Sequence, residues 1–311
     1  MSTRLISVVT PCYNEEGNVR AMYEAIRQIF VSLPQYRYEH LFIDNASKDL
    51  TPQVLRELAT QDPNVRVILN ARNFGQVRSG YHALLQSSGD AVIALVCDFQ
   101  DPPELIPEFL RRWEDGAKVV LGVKEASAEP RLLYTLRGRY YALLARIADV
   151  QVVKQSTGFG CYDRAVIAAL KSIDDPYPYF RGLIAEIGYA PAIVPFKQPT
   201  RKHGISSQNF YTLYDLAFLG IVNHSKVPLR MATMAGFALA AFSLLVALGY
   251  LVYKLLFWNQ FTVGIAPILI GFFFLTSVQL FFIGIVGEYI GSIYTQVRHH
   301  PHVFEKERIN F

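Results

Sequence analysis

Cysteine is scarce in this chain. Three stand among 311 residues, Cys12, Cys97 and Cys161. None belongs to a C-x-x-C pair, so neither a zinc site nor a disulfide framework is indicated. Cys12 and Cys97 read instead as small apolar residues at strand ends. Net charge is also slight, and +4 gives no reason to expect nucleic acid as a partner. The basic residues gather near the apolar segments, which fits an anionic membrane face. Repeats, low-complexity tracts and an N-terminal signal sequence are missing. The first residues lead straight into a strand, so the N-terminal domain is expected to stay cytosolic. The most telling absence is of charge in two long runs, Met231–Tyr253 and Leu255–Gly287. Each run can cross a bilayer, which takes roughly 20 apolar residues. A hydrophobic fraction of 51% and a mean hydropathy of +0.21 are high for a purely soluble protein.

What is present upstream of those runs is an α/β rhythm. Strand patterns fall at Leu5–Thr10, Glu39–Ile43, Arg66–Asn70, Ala91–Cys97 and Ala117–Val123. Helix patterns fall near Gly17–Phe30, Leu50–Thr60, Gly75–Ser87 and Leu105–Asp115. Alternation of this kind predicts βαβ units and a mostly parallel, Rossmann-like sheet. Asp49 or Thr51 is the expected N-cap of the second helix. Phe159–Ile167 and Pro191–Phe196 are expected to be further strands. Arg131–Asp149 carries an apolar stripe at helical spacing, with Arg131, Arg137, Arg139 and Arg146 on its other face. Ser207–His224 reads as an amphipathic helix. The short connection at Lys254–Gln260 makes the two apolar runs a hairpin. Lys226 and Arg230 precede the hairpin, Arg298, Lys306 and Arg308 follow it, and only Lys254 lies in its turn. By the positive-inside rule both termini are cytoplasmic, in a multi-pass protein of the inner membrane. The expected organisation is a catalytic domain over 1–206, a juxtamembrane region over 207–230, two spans over 231–290 and a cytosolic tail over 291–311.

Polar clusters follow the strands where an open α/β sheet binds its ligands, beyond the carboxyl ends. The apolar run ending at Cys97 is followed by Asp98, Gln100 and Asp101. Hard oxygen ligands of this kind suit Mg²⁺ or Mn²⁺ carrying a diphosphate. Asp101 fits equally well as a cap for the helix after Pro102-Pro103. For Asp98 a bland role is poor, because an acid ending so apolar a strand needs a partner. Pro11, Tyr13 and Glu15 follow the first strand and fit around a nucleobase and ribose, or simply form a turn. Asp44 follows the second strand and fits a base or ribose contact, or a turn. Arg72 follows the third and fits a diphosphate or base, or a solvated helix start. The recurrence of polar clusters after three strands favours the functional reading. A metal–diphosphate site tethered to a membrane implies transfer from a nucleotide-activated donor to a lipid.

At this point the residues resemble a known family. P-C-Y-N-E-E (11–16), R-N-F-G (72–75), D-F-Q-D-P-P-E (98–104), R-G-L (181–183), H-S-K-V-P-L-R (224–230) and G-E-Y-I-G (287–291) occur in order along the whole chain. They look like the family-2 glycosyltransferases that load sugars onto polyprenyl phosphates, among them bactoprenol glucosyltransferases and dolichyl-phosphate mannose synthases. The resemblance implies a GT-A catalytic domain followed by a two-helix transmembrane hairpin, a divalent metal, and inversion at the anomeric carbon with the lipid phosphate oxygen as nucleophile. It implies Asp98 and Gln100 as metal ligands, and Pro11, Tyr13, Glu15, Asp44, Arg72 and Cys97 around the nucleotide sugar. Asp98, Lys124 and Arg137 would carry catalysis. Arg131, Arg137, Arg139, Arg201 and Ser206 would hold the acceptor phosphate. The implied donor is a UDP-hexose such as UDP-glucose, the acceptor undecaprenyl phosphate, the setting a lipid bilayer, and self-association is a further expectation. Three positions depart from the family pattern: Val96 and Asn45 stand where acids are usual, and Gly158 where many relatives carry an aspartate. A phosphate monoester is already anionic at neutral pH, so it needs alignment and neutralisation more than a base. The alternatives are a non-catalytic membrane scaffold of a glycan-assembly complex and, less well matched, a polysaccharide synthase. Against the synthase, Phe109 stands where the Gln-x-x-Arg-Trp motif ahead of Arg112-Trp113 needs glutamine.

Overall fold

The architecture comes from a computed structural model, which describes residues 3–125, 153, 155–173, 175, 178–199, 227–257, 265–297 and 300–311. The expected helices at Arg131–Asp149 and Ser207–His224 lie outside these residues.

Four parallel strands form the centre: β1 (Arg4–Cys12), β2 (Tyr36–Asp44), β3 (Val65–Asn70) and β4 (Ala91–Ala94). The crossovers are α1 (Val19–Val31), α2 (Thr51–Gln61) and α3 (Gln76–Gln86). After a 3₁₀ turn opened by Pro103 come α4 (Ile106–Glu114), β5 (Val119–Lys124), β6 (Ser156–Asp163), α5 (Arg164–Ser172), α6 (Phe180–Ile187) and β7 (Ala192–Phe196). Then follow α7 (Val227–Leu256), α8 (Ile265–Val297) and a last strand, β8 (Glu305–Ile309). The sheet order is β7-β5-β6-β4-β1-β2-β3-β8. β1, β2 and β3 step one way and β4 returns to the other side of β1. The crevice at such a reversal is where open α/β sheets take their ligands.

Both faces of the sheet are covered, which is why its strands read as near-continuous apolar runs. On one face Ile6, Val8, Phe42 and Val67 pack with Met22, Ile26 and Phe30 of α1 and Phe109 and Leu110 of α4. On the other, Val9, Leu41, Ile43 and Ile68 pack with Tyr81 and Leu84 of α3 and Ile167 and Leu170 of α5. In α1 the buried set Val19, Met22, Tyr23, Ile26 and Phe30 has helical spacing. Each such side chain contributes roughly 1.5–3 kcal/mol of burial.

Several expected boundaries move. The strand expected over Ala91–Cys97 stops at Ala94. Leu95 still donates to the Val9 carbonyl at 3.1 Å, but the Val96 N–H turns to the Asp101 carboxylate at 3.3 Å. The strand expected over Phe159–Ile167 ends at Asp163, whose side chain accepts from the Ala165 N–H at 3.0 Å and starts α5. For α2 the N-cap position falls on Leu50, which caps nothing; Asp49 instead accepts from the Thr51 N–H at 3.0 Å. The second long helix, described over Ile265–Val297, runs past the expected end of the second span at 290, with Glu288 exposed within it.

The hairpin helices differ from everything upstream. The windows at Leu229–Leu256 and Gly271–Tyr294 are long and apolar enough to cross a membrane, and neither is buried against protein. Phe237, Leu245, Phe273 and Phe281 are each 65% exposed or more. An apolar surface of that extent suits membrane association. The residues after α8 do not trail away as the expected tail. β8 pairs antiparallel with β3, from Val67 opposite Ile309 to Asn70 opposite Glu305. It covers backbone groups that would otherwise form an open sheet edge. Arg56 grips Glu307 with two nitrogens, at 2.7 and 3.1 Å, and Asn310 donates to the carbonyls of Ala59 and Val65.

Candidate active site

The crevice is built from loops that leave β1, β2, β3 and β4 at their carboxyl ends. The first two interlock. The Asn14 N–H donates to Ser47 Oγ at 2.8 Å, the Lys48 N–H to Asn14 Oδ1 at 2.9 Å, and the Glu15 N–H to Thr51 Oγ1 at 2.9 Å. Glu15 in turn accepts from Asn18 Nδ2 at 2.6 Å. Asp44 is buried and accepts from both the N–H and the hydroxyl of Ser47. Burial raises the pKa of its carboxyl above the usual range, against the opposing pull of those Ser47 bonds. Tyr13 is exposed at the rim, 36% accessible, and Pro11 is half-buried where α3 passes at Gly80.

The neighbouring Asn45 is a junction. Its Nδ2 donates to Asn73 Oδ1 at 3.0 Å, and its Oδ1 accepts from Asn70 Nδ2 at 3.2 Å and from the Phe74 N–H at 2.9 Å. An acid here would have no proton to give Asn73, which accounts for the amide where an acid is usual. Arg72 is exposed with its guanidinium 4.0 Å above the Phe74 ring.

The loop after β4 is different in kind. Asp98 and Asp101 are both buried, 5% and 4% exposed. Asp98 Oδ1 accepts from the Gln100 N–H at 3.1 Å. Between the acids, Phe99 holds φ at 60°, a left-handed conformation that costs an aromatic residue roughly 1–3 kcal/mol. Burial pushes the pKa of Asp101 up to about 7, the Asp98 charge adding to the rise and the Val96 N–H and Lys124 ammonium opposing it. Lys124, half-buried at the end of β5, therefore belongs to this cluster. Asp101 does not cap the following helix; it closes its own loop through Val96.

The donor set here is oxygen only: two crowded carboxylates and the Gln100 amide. Among the described residues no three His, Cys, Asp or Glu side chains converge on one point. Asp98 with the Gln100 amide, braced by Asp101, fits a divalent cation whose remaining ligands come from a diphosphate and water. Cys97 is placed otherwise than expected. Its side chain lies in the core beside Cys12, so it presents no thiol to a ligand, and burial beside Cys97 raises the Cys12 thiol.

Beyond Lys124, a cavity of about 220 Å³ opens between β5, β6 and α6, walled by Leu121, Val153, Phe180 and Ile184. Arg181 stands in its lining and donates to the Ser156 carbonyl at 3.0 Å. Gly158 forms part of the wall at φ +94°, where an added Cβ would come within 3.2 Å of the Phe180 ring. An aspartate there would be strained in both backbone and packing. Arg131, Arg137, Arg139, Arg201 and Ser206 lie outside the described residues. Sequence reasoning missed Ser47, Thr51 and Asn73 as the frame of the crevice. Only the hydrogen-bonding character of their side chains signalled it.

Comparison with known proteins bears on this geometry. Residues 7–170 match the model of "Glycosyl transferase family 2". The chain is 34% identical over 297 residues to the bactoprenol glucosyl transferase of Shigella phage SfV, covering 95% of this chain and 96% of that protein. It is 30% identical over 297 residues to the prophage bactoprenol glucosyl transferase homolog of Escherichia coli K12, covering 95% and 96%. Among solved structures, glucosyl-3-phosphoglycerate synthase from Mycobacterium tuberculosis aligns over 70% of this chain and 78% of its own, at 20% identity and a TM-score of 0.47.

Proposed function

The chain belongs to glycosyl transferase family 2 and is a glycosyltransferase, and from that premise we propose that it moves a hexose from a UDP-sugar onto the phosphate of a polyprenyl lipid, undecaprenyl phosphate, at the cytoplasmic face of the inner membrane. The observation that carries the reading is the buried pair Asp98 and Asp101, with Lys124 beside it, at the switch-point crevice. The full-length relatives named for bactoprenol and the two exposed apolar helices support a lipid acceptor.

Asp98 and Gln100 hold Mg²⁺ or Mn²⁺ in this reading, and Asp101 braces their loop. Bound there, the metal supplies positive charge to the departing diphosphate. Pro11, Tyr13, Glu15 and Asp44 enclose the nucleoside, and Arg72 faces its diphosphate. The acceptor phosphate oxygen forms a bond to the anomeric carbon as the bond from that carbon to the diphosphate breaks, inverting the centre. With the acceptor ionised at neutral pH, no proton need leave the nucleophile. Gly158 then costs the reaction nothing, since alignment and neutralisation by Lys124, Arg131, Arg137, Arg139, Arg201 and Ser206 do the work a base would do.

The test uses the purified full chain with Mn²⁺ and undecaprenyl phosphate against a panel of UDP- and GDP-sugars, following nucleotide release with and without lipid. Lipid-dependent release from one UDP-hexose is the expected result. No lipid-dependent release from any donor, while UDP and Mn²⁺ still bind, overturns the reading in favour of a silent scaffold.

A further inference from the structure

The segment after α8 returns to the catalytic domain and meets the loop that carries Arg72. The Phe304 carbonyl accepts from the Ala71 N–H at 2.8 Å, and the Pro301 carbonyl accepts from Arg78 Nη2 at 2.8 Å. The Phe304 ring lies 6.1 Å from that of Phe74, and the His302 ring meets Tyr81 of α3 edge-on at 5.0 Å. Arg72 also stacks on the Phe74 ring, at 4.0 Å. Phe74 thus has four anchors: its N–H on Asn45, and its ring against Phe304, under Arg72 and, at 5.8 Å, beside the Arg78 guanidinium that the Pro301 carbonyl holds.

The backbone of the loop is also held through Asn73, whose Oδ1 accepts from Asn45 Nδ2 at 3.0 Å and from the Gly75 N–H at 2.8 Å, so what the Phe74 ring adds is the placing of a side chain. Gly75 at its end has φ +86° and caps α3 with no side chain. Arg72 is otherwise tied by one bond, from Nη1 to the Asn73 carbonyl at 3.0 Å. Phe304 is 57% exposed, so cutting it back to alanine removes little buried area.

We infer that Phe304 is a positioning residue for the donor: the returning segment fixes Phe74, and Phe74 fixes the guanidinium of Arg72 over the crevice. This rests on the reading of Arg72 as a donor contact. It makes the stretch after the membrane hairpin part of the donor site without touching the ligand.

The experiment measures UDP affinity calorimetrically in Mn²⁺ on the full chain, with turnover at saturating donor and the melting midpoint alongside. Arg72→Ala and Phe304→Ala are each expected to weaken UDP about three- to fivefold, the scale of one cation–π contact. For Phe304→Ala turnover and melting should stay near the parent values, and Phe304→Tyr should restore affinity. If the alanine variant does not fold, Phe304→Leu carries the same expectation, since it keeps bulk and loses the aromatic contact. Unchanged UDP affinity in Phe304→Ala, with Arg72→Ala weakened, overturns the inference. So does a loss that Tyr fails to restore, or a loss of turnover alone. Unchanged affinity in Arg72→Ala overturns the donor-loop reading beneath it, a separate result.

Discussion

The two sides of the crevice are built to opposite rules. On the β2–β3 side, Asp44, Asn45, Asn70 and Asn73 face donors and acceptors of matching sense, and the loops close on one another. On the β4 side, two buried acids crowd one another across a left-handed phenylalanine. A network of the first kind is fixed by bonds between its loops, with the buried Asn70 Oδ1 left without a partner. In a cluster of the second kind each acid accepts from a backbone N–H, yet burial holds the Asp101 carboxyl at a raised pKa that a cation would lower. In the reading proposed above, the first side is the frame and the second the chemistry.

Breaking the chemical side has the largest expected effect. Asp98→Ala should lower lipid-dependent nucleotide release by about a thousandfold or more while the protein still folds and melts cooperatively. Near-normal release would place the metal elsewhere. Breaking the frame should show the reverse pattern. Asn45→Asp sets a carboxylate against Asn73 Oδ1 and should cost about 1–3 kcal/mol of stability, read by thermal or urea melting, with a smaller loss of turnover. If the aspartate variant melts like the parent, the amide junction is ornamental. Gly158→Asp sharpens the contrast from a third position: it should reduce turnover several-fold rather than add a base, through strain at φ +94° against Phe180. The smallest effect is a pH dependence of the frame. Burial of Glu305 works to raise its carboxyl, but Arg308 at 2.5 Å and His82 at 2.6 Å hold it below the ordinary range. Its contribution is present above the ordinary glutamate pKa and is lost as pH falls through the lowered value. Docking of β8 should therefore weaken in acid, and Glu305→Gln should flatten that loss in melts between about pH 6 and 3.

The chemical side was the more legible in sequence. Asp98 and Gln100 announce themselves by ending an apolar run, and burial of the strand makes any acid there conspicuous. Strands and helices of the first 120 residues were legible for the same reason, since a sheet covered on both faces leaves long apolar runs between turn residues. The frame was not legible, because asparagines and serines in loops look alike whether they bond to water or to one another. Cys97 was legible as a small apolar residue at a strand end, where it is buried beside Cys12. Asp163 as a cap was hidden inside an otherwise strand-like run. β8 was hardest. Its sequence, Glu-Lys-Glu-Arg-Ile, has the alternation of an edge strand but little apolar content, and its partner β3 lies over 230 residues upstream.

The strands on either side of the hairpin in sequence, β7 before it and β8 after it, are the two outermost strands of the eight-stranded sheet. Seven strand spacings separate them, about 34 Å. A domain hung from one linker can swivel about it. This one is tied from both margins, like a hammock, so a hairpin that enters a bilayer has to return its chain to the side it left. An odd number of crossings would leave β8 on the wrong side of the bilayer from β3, so the hydrogen bonds of that last strand count the crossings.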